Sequence, residues 1–115
     1  MLQVGHVIIV KMPFRDGTES KYPRPYLIIR AGADTVDVLN ISSTSGKEYK
    51  LLYPTNIAIL HYNPPLREPS FVKLDSMQTV KIFDLNSWGA KLYGNGQPLN
   101  QNDTNRILST LLKQR

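Results

Sequence analysis

The stretch Val7-Ile8-Ile9-Val10 and the later stretch Tyr26-Leu27-Ile28-Ile29 decide the fold class of this chain. Both are short apolar runs rich in β-branched side chains and bounded by Gly or Pro, which is typical of buried strands. The residues between them, 13–23, contain two prolines and a glycine and are predicted to form a long loop. The chain therefore opens with two strands joined by this loop.

Further extended segments are predicted beyond the second strand. Residues 35–42 form an imperfectly alternating strand with two faces. The members of these faces are Val36 and Val38 on one side and Asp37, Leu39 and Ile41 on the other. Turn-forming residues then separate three more predicted strands, at residues 49–53, 57–62 and 70–83, of which the last is the longest.

The C-terminal part of the chain is predicted to contain a helix. Residues 84–98 carry three glycines and a proline, so no helix is expected there, and a short strand is predicted at residues 91–93. Beyond them Asn100 and Asn102 are suitable N-caps, and apolar side chains recur with helical spacing at Ile107, Leu108, Leu111 and Leu112. The predicted fold is mainly β with a C-terminal helix (α+β), a single domain over residues 1–115 built as a small antiparallel sheet or barrel.

Composition excludes several classes of function. The chain has 115 residues, a net charge of +5 and a pI near 9.6, and it contains no cysteine. Disulfides, thiolate zinc sites and cysteine nucleophiles are therefore excluded, and a cytoplasmic location is expected. No apolar run approaches the ~18 residues of a membrane span, and the N-terminus lacks the pattern of a secretory signal. The surplus of positive charge favours an anionic partner.

Cations and aromatic rings are interleaved near the N-terminus, in the pattern Lys11, Phe14, Arg15, Lys21, Tyr22, Arg24, Tyr26 and Arg30. Basic side chains pair with phosphates and rings stack on bases, so this composition suits single-stranded RNA or DNA. The alternative is a solvated loop between strands, and composition alone favours that alternative.

The segments Gly5-His6, Gly17-Thr18-Glu19 and Arg24-Pro25 follow one another in this order near the start of the chain. They resemble the opening of the MazF/PemK family of toxin ribonucleases, which consists of a Gly-Asp strand, a G-x-E loop and an Arg-Pro strand. The stretch Val38-Leu39-Asn40-Ile41-Ser42-Ser43 is similar to a family strand that ends in a hydroxyl residue. The stretch from Val72 to Val80 is similar to the family's long central strand, and the resemblance covers nearly the whole chain.

The resemblance implies an SH3-like small barrel, a homodimer, and the toxin of a type II toxin–antitoxin system. Its implied activity is sequence-selective cleavage of single-stranded RNA, without metal or cofactor, to a 2′,3′-cyclic phosphate and a 5′-hydroxyl, which stops translation and growth. The implied partner is an antitoxin with a disordered acidic tail. No membrane partner is implied.

Four residues are candidates for catalysis: Arg24, Ser42, Lys73 and Asp75. Arg24 precedes a proline that holds it out of helical geometry, and its guanidinium fork matches two phosphate oxygens. Ser42 takes the place of the family's catalytic hydroxyl, with Ser43 and Thr44 as rivals that can instead form turns. The side chains of Lys73 and Asp75 are predicted to leave the same strand face ~6.5–7 Å apart along the chain. Two interpretations are open: a proton-transfer pair, or an exposed ion pair that contributes little to stability. The resemblance implies that this aspartate acts as the base.

A wider set of residues is predicted to contact RNA from the loops at 13–23, 44–48 and 63–70, with Phe14, Tyr22 or Tyr62 stacking on bases. The predicted RNA-binding residues are Phe14, Arg15, Thr18, Glu19, Lys21, Tyr22, Ser43, Lys47 and Gln78. Three residues depart from the family pattern. Thr18 replaces a loop histidine found in some members, His6 replaces an aspartate, and Gln78 replaces a frequent arginine.

Two other functions remain open. One is a non-catalytic toxin like the gyrase poisons that share this barrel and act through the C-terminal helix, and the other is an RNA-binding barrel that does not cleave. Zinc chemistry is disfavoured because the chain has two histidines, far apart in sequence, and no cysteine. No nucleophile elbow, phosphate-binding Gly-rich loop or dinucleotide fingerprint is present.

Overall fold

A computed structural model describes residues 2–114 of the chain. The strands are β1 (Val7–Val10), β2 (Arg24–Ala31), β3 (Thr35–Ser43), β4 (Asn56–Ala58), β5 (Ser70–Lys73), β6 (Gln78–Lys81) and β7 (Lys91–Leu92). The α-helices are α1 (Ile82–Ser87) and α2 (Gln101–Lys113). The architecture is thus mainly β with a C-terminal helix, as predicted from the sequence.

All strand pairs are antiparallel, and the long strand β3 organises the sheet. The strand order is β4-β5-β3-β2-β1-β7. One edge of β3 pairs with β2, while its other edge pairs with β6 through residues 35–38 and with β5 through residues 41–43. The two halves of β3 therefore pair with different strands along this edge.

The central strands are buried on both faces because two apolar cores pack against them. Side chains at alternate positions, including Leu27, Leu39 and Ile41, join Ile107 of α2 in one core. The intervening positions, including Ile28 and Val38, join Leu85 of α1 in the other. The predicted division of residues 35–42 into two faces is confirmed. Helix α2 packs on the sheet through Ile107, Leu108 and Leu111, whereas Leu112 of the predicted stripe is exposed.

Helix α2 begins as predicted. The Asn100 side chain accepts hydrogen bonds from the backbone N–H groups of Asn102 and Asp103, which otherwise lack helical partners. Within residues 2–114, no helix combines the length and the apolar character that crossing a bilayer requires.

Several predicted elements differ in the structure. The predicted strand 49–53 is a 3₁₀ helix (Glu48–Leu52), and the predicted strand 57–62 is reduced to β4. The predicted helix-free region 84–98 begins inside α1, whereas its predicted short strand is confirmed as β7. None of the five residues of this 3₁₀ helix is buried, so its apolar side chains do not contribute to either core.

The long strand predicted at residues 70–83 is interrupted by a 3₁₀ turn (Leu74–Ser76). Ser76 causes the interruption, because its Oγ donates to the Lys73 carbonyl at 2.6 Å and accepts from the Asn40 N–H at 2.8 Å. A serine side chain that bonds nearby backbone groups competes with the strand ladder in this way. The prediction that Lys73 and Asp75 share one strand face is therefore wrong: Lys73 ends β5, and Asp75 lies in the turn.

Candidate active site

Strands β2 and β3 place Arg24 and Ser42 beside each other. Tyr26 pairs with Asn40 in the register of these strands, and Arg24 and Ser42 lie two residues further along each strand. Because side chains alternate with period two, residues two positions apart share a face. A central cavity of about 220 Å³ opens here, lined by Phe14, Arg24, Pro25, Asn40, Ile41, Ser42 and Lys73.

Lys73 enters the central cavity from β5, on the opposite edge of β3. Its burial lowers the pKa of the ammonium group, and the positive charge of nearby Lys50 lowers it further. The negative charge of Asp75 raises this pKa, whereas the positive charges of Lys47 and Arg24 lower it further. A lysine in such surroundings releases its proton more readily than a free one.

Asp75 lines an adjoining cavity of about 500 Å³, which shares Phe14, Asn40 and Lys73 with the central cavity. Arg15 holds the two sides of this cavity together, because its guanidinium donates to the backbone carbonyl of Asp75 at 2.7 Å. The Asp75 carboxylate is on the exposed turn. Lys73 and Asp75 are thus brought to one site despite the broken strand.

A third cavity, of about 290 Å³, continues from the central cavity past Arg24 and Ser42. Three of the predicted RNA-binding residues, Tyr22, Ser43 and Lys47, line it. Arg67, which the sequence did not single out, also lines it. The three cavities share walls, and we refer to them together as the groove.

Arg24 is held by two contacts that leave much of its guanidinium available. Its Nε donates to Ser20 Oγ at 3.2 Å, and its Cζ lies 5.2 Å from the centre of the Phe14 ring. Ser20 is itself buried and donates to the Tyr22 carbonyl at 2.7 Å. Among residues 2–114, no carboxylate forms an ion pair with Arg24. A guanidinium oriented in this way can still bind an anion.

Two side chains in or beside the central cavity carry unsatisfied polar atoms. Asn40 Oδ1 and Tyr26 Oη are buried without a hydrogen-bond partner in the described part of the chain. Tyr26 is fully buried, so it does not offer a stacking surface, contrary to the sequence pattern. Burial raises the pKa of Tyr26, against the opposing charge of Arg24.

No sequence pattern singled out Ser20, Asn40 or Arg67 as site residues. Ser20 and Asn40 take part in the site through side-chain contacts and burial. Arg67 reaches the groove because the loop between β4 and β5 passes beside it.

Several predicted RNA-binding residues lie outside the groove. The backbone N–H of Thr18 donates to Asp16 Oδ1 at 2.8 Å, within the tight loop that carries Phe14. Gln78 pairs with Val38 in β6, and Tyr62 packs against an apolar core. Lys21 is exposed and does not line the groove. Glu19 lines a separate cavity.

The groove brings together groups that suit phosphate chemistry. Arg24 and Lys73 neutralise charge, Ser42 offers a hydroxyl donor, and Asp75 offers a proton acceptor. Across residues 2–114 no three side chains of His, Cys, Asp or Glu cluster as metal ligands. No protein-family model matches this chain, and no curated protein matches it in sequence.

Proposed function

We propose that this protein is an endoribonuclease toxin of the MazF/PemK type, with the groove as its active site. The observation that carries the proposal is the convergence of Arg24, Ser42 and Lys73 around one cavity, with Asp75 in the adjoining one. These four residues come from three separate parts of the chain and were selected from the sequence alone. A net charge of +5 and the exposed Tyr22 in the groove also suit a single-stranded RNA substrate.

The proposed reaction is internal transesterification of RNA. The 2′-oxygen attacks the adjacent phosphorus and the bond from phosphorus to the 5′-oxygen breaks, giving a 2′,3′-cyclic phosphate and a 5′-hydroxyl. Asp75 accepts the proton of the attacking 2′-hydroxyl. Arg24 binds two phosphate oxygens through its guanidinium fork and stabilises the charge of the phosphorane.

Lys73 is the proposed proton donor to the leaving 5′-oxygen. Its lowered pKa brings it nearer to the range in which general acids work efficiently. Ser42 donates a hydrogen bond to a non-bridging phosphate oxygen. Some members of the family have a loop histidine as the acid where this chain has Thr18. In this proposal Lys73 takes that role.

The proposal also covers the fold, the cellular role and the partner of the protein. The chain would adopt an SH3-like barrel of the MazF/PemK type, act in the cytoplasm as a homodimer, and stop growth by cutting mRNA. Its antitoxin would place a disordered acidic tail in the groove. The positively charged side chains there, including Arg15, Arg24 and Lys47, complement such a tail.

Incubation with a long single-stranded RNA in the presence of EDTA tests the proposal. The expected result is discrete cleavage that leaves 2′,3′-cyclic phosphate ends. Arg24→Ala should reduce the rate by about a hundredfold or more, the magnitude typical of a lost charge-stabilising donor. Arg30→Ala is the matched control: Arg30 lies on the same strand, outside the groove, where it pairs with Asp37 at 2.8 Å.

Each other outcome points to a specific alternative. Binding of the RNA without cuts supports a non-cleaving RNA-binding barrel, and inhibition of DNA supercoiling without RNA binding supports a gyrase poison. Cleavage that is equally fast in Arg24→Ala and Arg30→Ala would remove the proposed mechanism. Circular dichroism melting of both variants checks that the fold is intact.

A further inference from the structure

A separate cavity of about 230 Å³ lies against the long loop between β1 and β2. It is lined by Lys11, Met12, Pro13, Glu19, Ser20 and Trp88. Its volume is below the ~300 Å³ at which pockets for drug-sized ligands begin, so it suits a flat group of about the size of one nucleobase. We refer to it as the Trp88 cavity.

The walls of the Trp88 cavity combine an apolar surface with one cation and one anion. Met12 is buried and forms part of the apolar wall, whereas Trp88 is 42% exposed, so its indole is available for contact with a planar ring. Lys11 and Glu19 line the same cavity, but they form no ion pair with each other in the part of the chain that the structure describes. Ammonium donors and carboxylate acceptors are therefore both free to bind a ligand.

This cavity is connected to the groove through one residue. Ser20 lines the Trp88 cavity, and its Oγ accepts the hydrogen bond from Arg24 Nε. Pro13, in the wall of the cavity, directly precedes Phe14, whose ring contacts the Arg24 guanidinium. Ser20 and the Pro13–Phe14 pair thus join the wall of this cavity to the Arg24 guanidinium.

We infer that the Trp88 cavity is a nucleobase subsite that binds guanine. Guanine carries two adjacent donors, N1–H and the N2 amino group, which match the two oxygens of the Glu19 carboxylate. Its O6 and N7 are acceptors and match the ammonium group of Lys11. Adenine and cytosine each offer one amino donor group to the carboxylate, and uracil offers one ring N–H. Stacking against Trp88 adds affinity that does not depend on the base.

The inference rests on the proposed function, because the subsite has a role only if the protein cleaves RNA. It would then give the enzyme a preference for guanine near the cut. Nucleotide binding is measurable without cleavage, however. Trp88 is the single tryptophan of the chain, so intrinsic tryptophan fluorescence reports on this cavity. All four 5′-monophosphates carry the same phosphate, and differences among them report on the base.

The experiment is a fluorescence titration of the protein with the four nucleoside 5′-monophosphates. Guanosine monophosphate should quench Trp88 and bind about tenfold tighter than the other three. Glu19→Gln should abolish that preference, because an amide cannot accept both guanine donors. Glu48→Gln, the same chemical change outside the cavity, should keep it. Glu19 and Glu48 are both exposed, and melting curves verify that the variants fold.

Equal affinity for all four nucleotides, or no change in fluorescence, would overturn the inference. Tighter binding of cytidine monophosphate would overturn the assignment to guanine. If guanosine monophosphate binds selectively but RNA is never cut, the guanine subsite is supported and the proposed nuclease activity is contradicted. If RNA is cut with Arg24 required but no base is preferred, the nuclease stands and the subsite fails.

Discussion

Lys73 shows how the surroundings of one residue adjust its chemistry. Its side chain is half-buried at the end of β5, close to Lys50, Lys47 and Arg24 and opposed by Asp75. Burial and like charges both disfavour the charged ammonium form. The sequence identified Lys73 as a candidate, but the lowered pKa depends on neighbours that only the folded chain brings together.

The cleavage rate should therefore depend on the pKa of Lys73. If the ammonium group is the acid, the rate falls as pH rises through a pKa that lies below the ordinary 10.5. Lys50→Ala removes a positive charge that lowers this pKa, so the fall should move to higher pH. The measurement is a single-turnover pH–rate profile corrected for cleavage in the absence of protein.

Lys81→Ala removes a positive charge from the end of β6, outside the groove, and serves as the matched control. Its profile should overlay that of the unmodified protein. An unchanged alkaline midpoint in Lys50→Ala would show that a group other than Lys73 sets this part of the profile.

At the scale of elements, the sequence was most informative where hydrophobic periodicity and local capping act together. Strands β1, β2 and β3 and helix α2 all lie close to their predicted positions. The errors come from side chains that form contacts no short pattern encodes. Ser76 ends a strand by bonding to Asn40, which is distant in sequence, and α1 is a six-residue helix without a capping side chain.

The same reasoning applies to the candidate site. Arg24 and Ser42 were identifiable because the blocks that contain them resemble a known family. Both also stand at ends of predicted strands, and neighbouring antiparallel strands bring such ends together. Ser20 was not identifiable, because its role is a single hydrogen bond to Arg24 within a loop. Positions on regular elements are predictable from a period, whereas loop contacts depend on the complete fold.

Asp103 fastens helix α2 to the loop after β4. Its carboxylate is nearly inaccessible and accepts the backbone N–H groups of Leu60 and His61 at 3.0 and 2.8 Å. Arg106 also donates to it at 2.9 Å. Burial alone would raise the pKa of Asp103, but these hydrogen bonds and the Arg106 charge outweigh burial and lower it.

Asp103→Ala should destabilise the fold by about 3 kcal/mol at about pH 7, because it leaves two buried N–H groups and one cation without their acceptor. A folded-state pKa below the ordinary 3.8 means that this stabilisation is complete above that value and is lost as pH falls through the folded-state pKa. Urea denaturation at a series of pH values measures the difference from the unmodified protein.

The difference should stay constant from about pH 8 to about pH 5 and shrink below about pH 4. Asp34→Ala removes an exposed carboxylate and should change stability by less than about 0.5 kcal/mol. A difference that widened as pH fell would contradict the direction of the pKa shift.

For the whole molecule, the arrangement of charge matters more than its total. The net charge of +5 is modest, yet five cations, Arg15, Arg24, Lys47, Arg67 and Lys73, line the groove. Folding gathers them from two strands and three loops of the chain. A continuous run of basic residues is therefore not needed to form a strip that follows a phosphate backbone.

If RNA occupies the groove, its affinity should depend steeply on salt. Each phosphate neutralised on a single strand contributes about −0.7 to the slope of log affinity against log salt concentration, so full use of five cations gives a slope of about −3.5. A 2′-O-methyl RNA, which lacks the attacking hydroxyl, allows binding to be measured by fluorescence anisotropy without cleavage. Lys47→Ala should weaken binding and flatten the slope by about 0.7.

The control separates binding in the groove from general attraction to a basic protein. Lys81→Ala removes the same charge but lies outside the groove, so it should leave the slope unchanged. If both variants flatten the slope equally, RNA is held by the overall charge and not by a defined path. A slope that changes for Lys47 alone places the phosphate backbone beside Ser43 and Arg67, in the same cavity wall as Arg24.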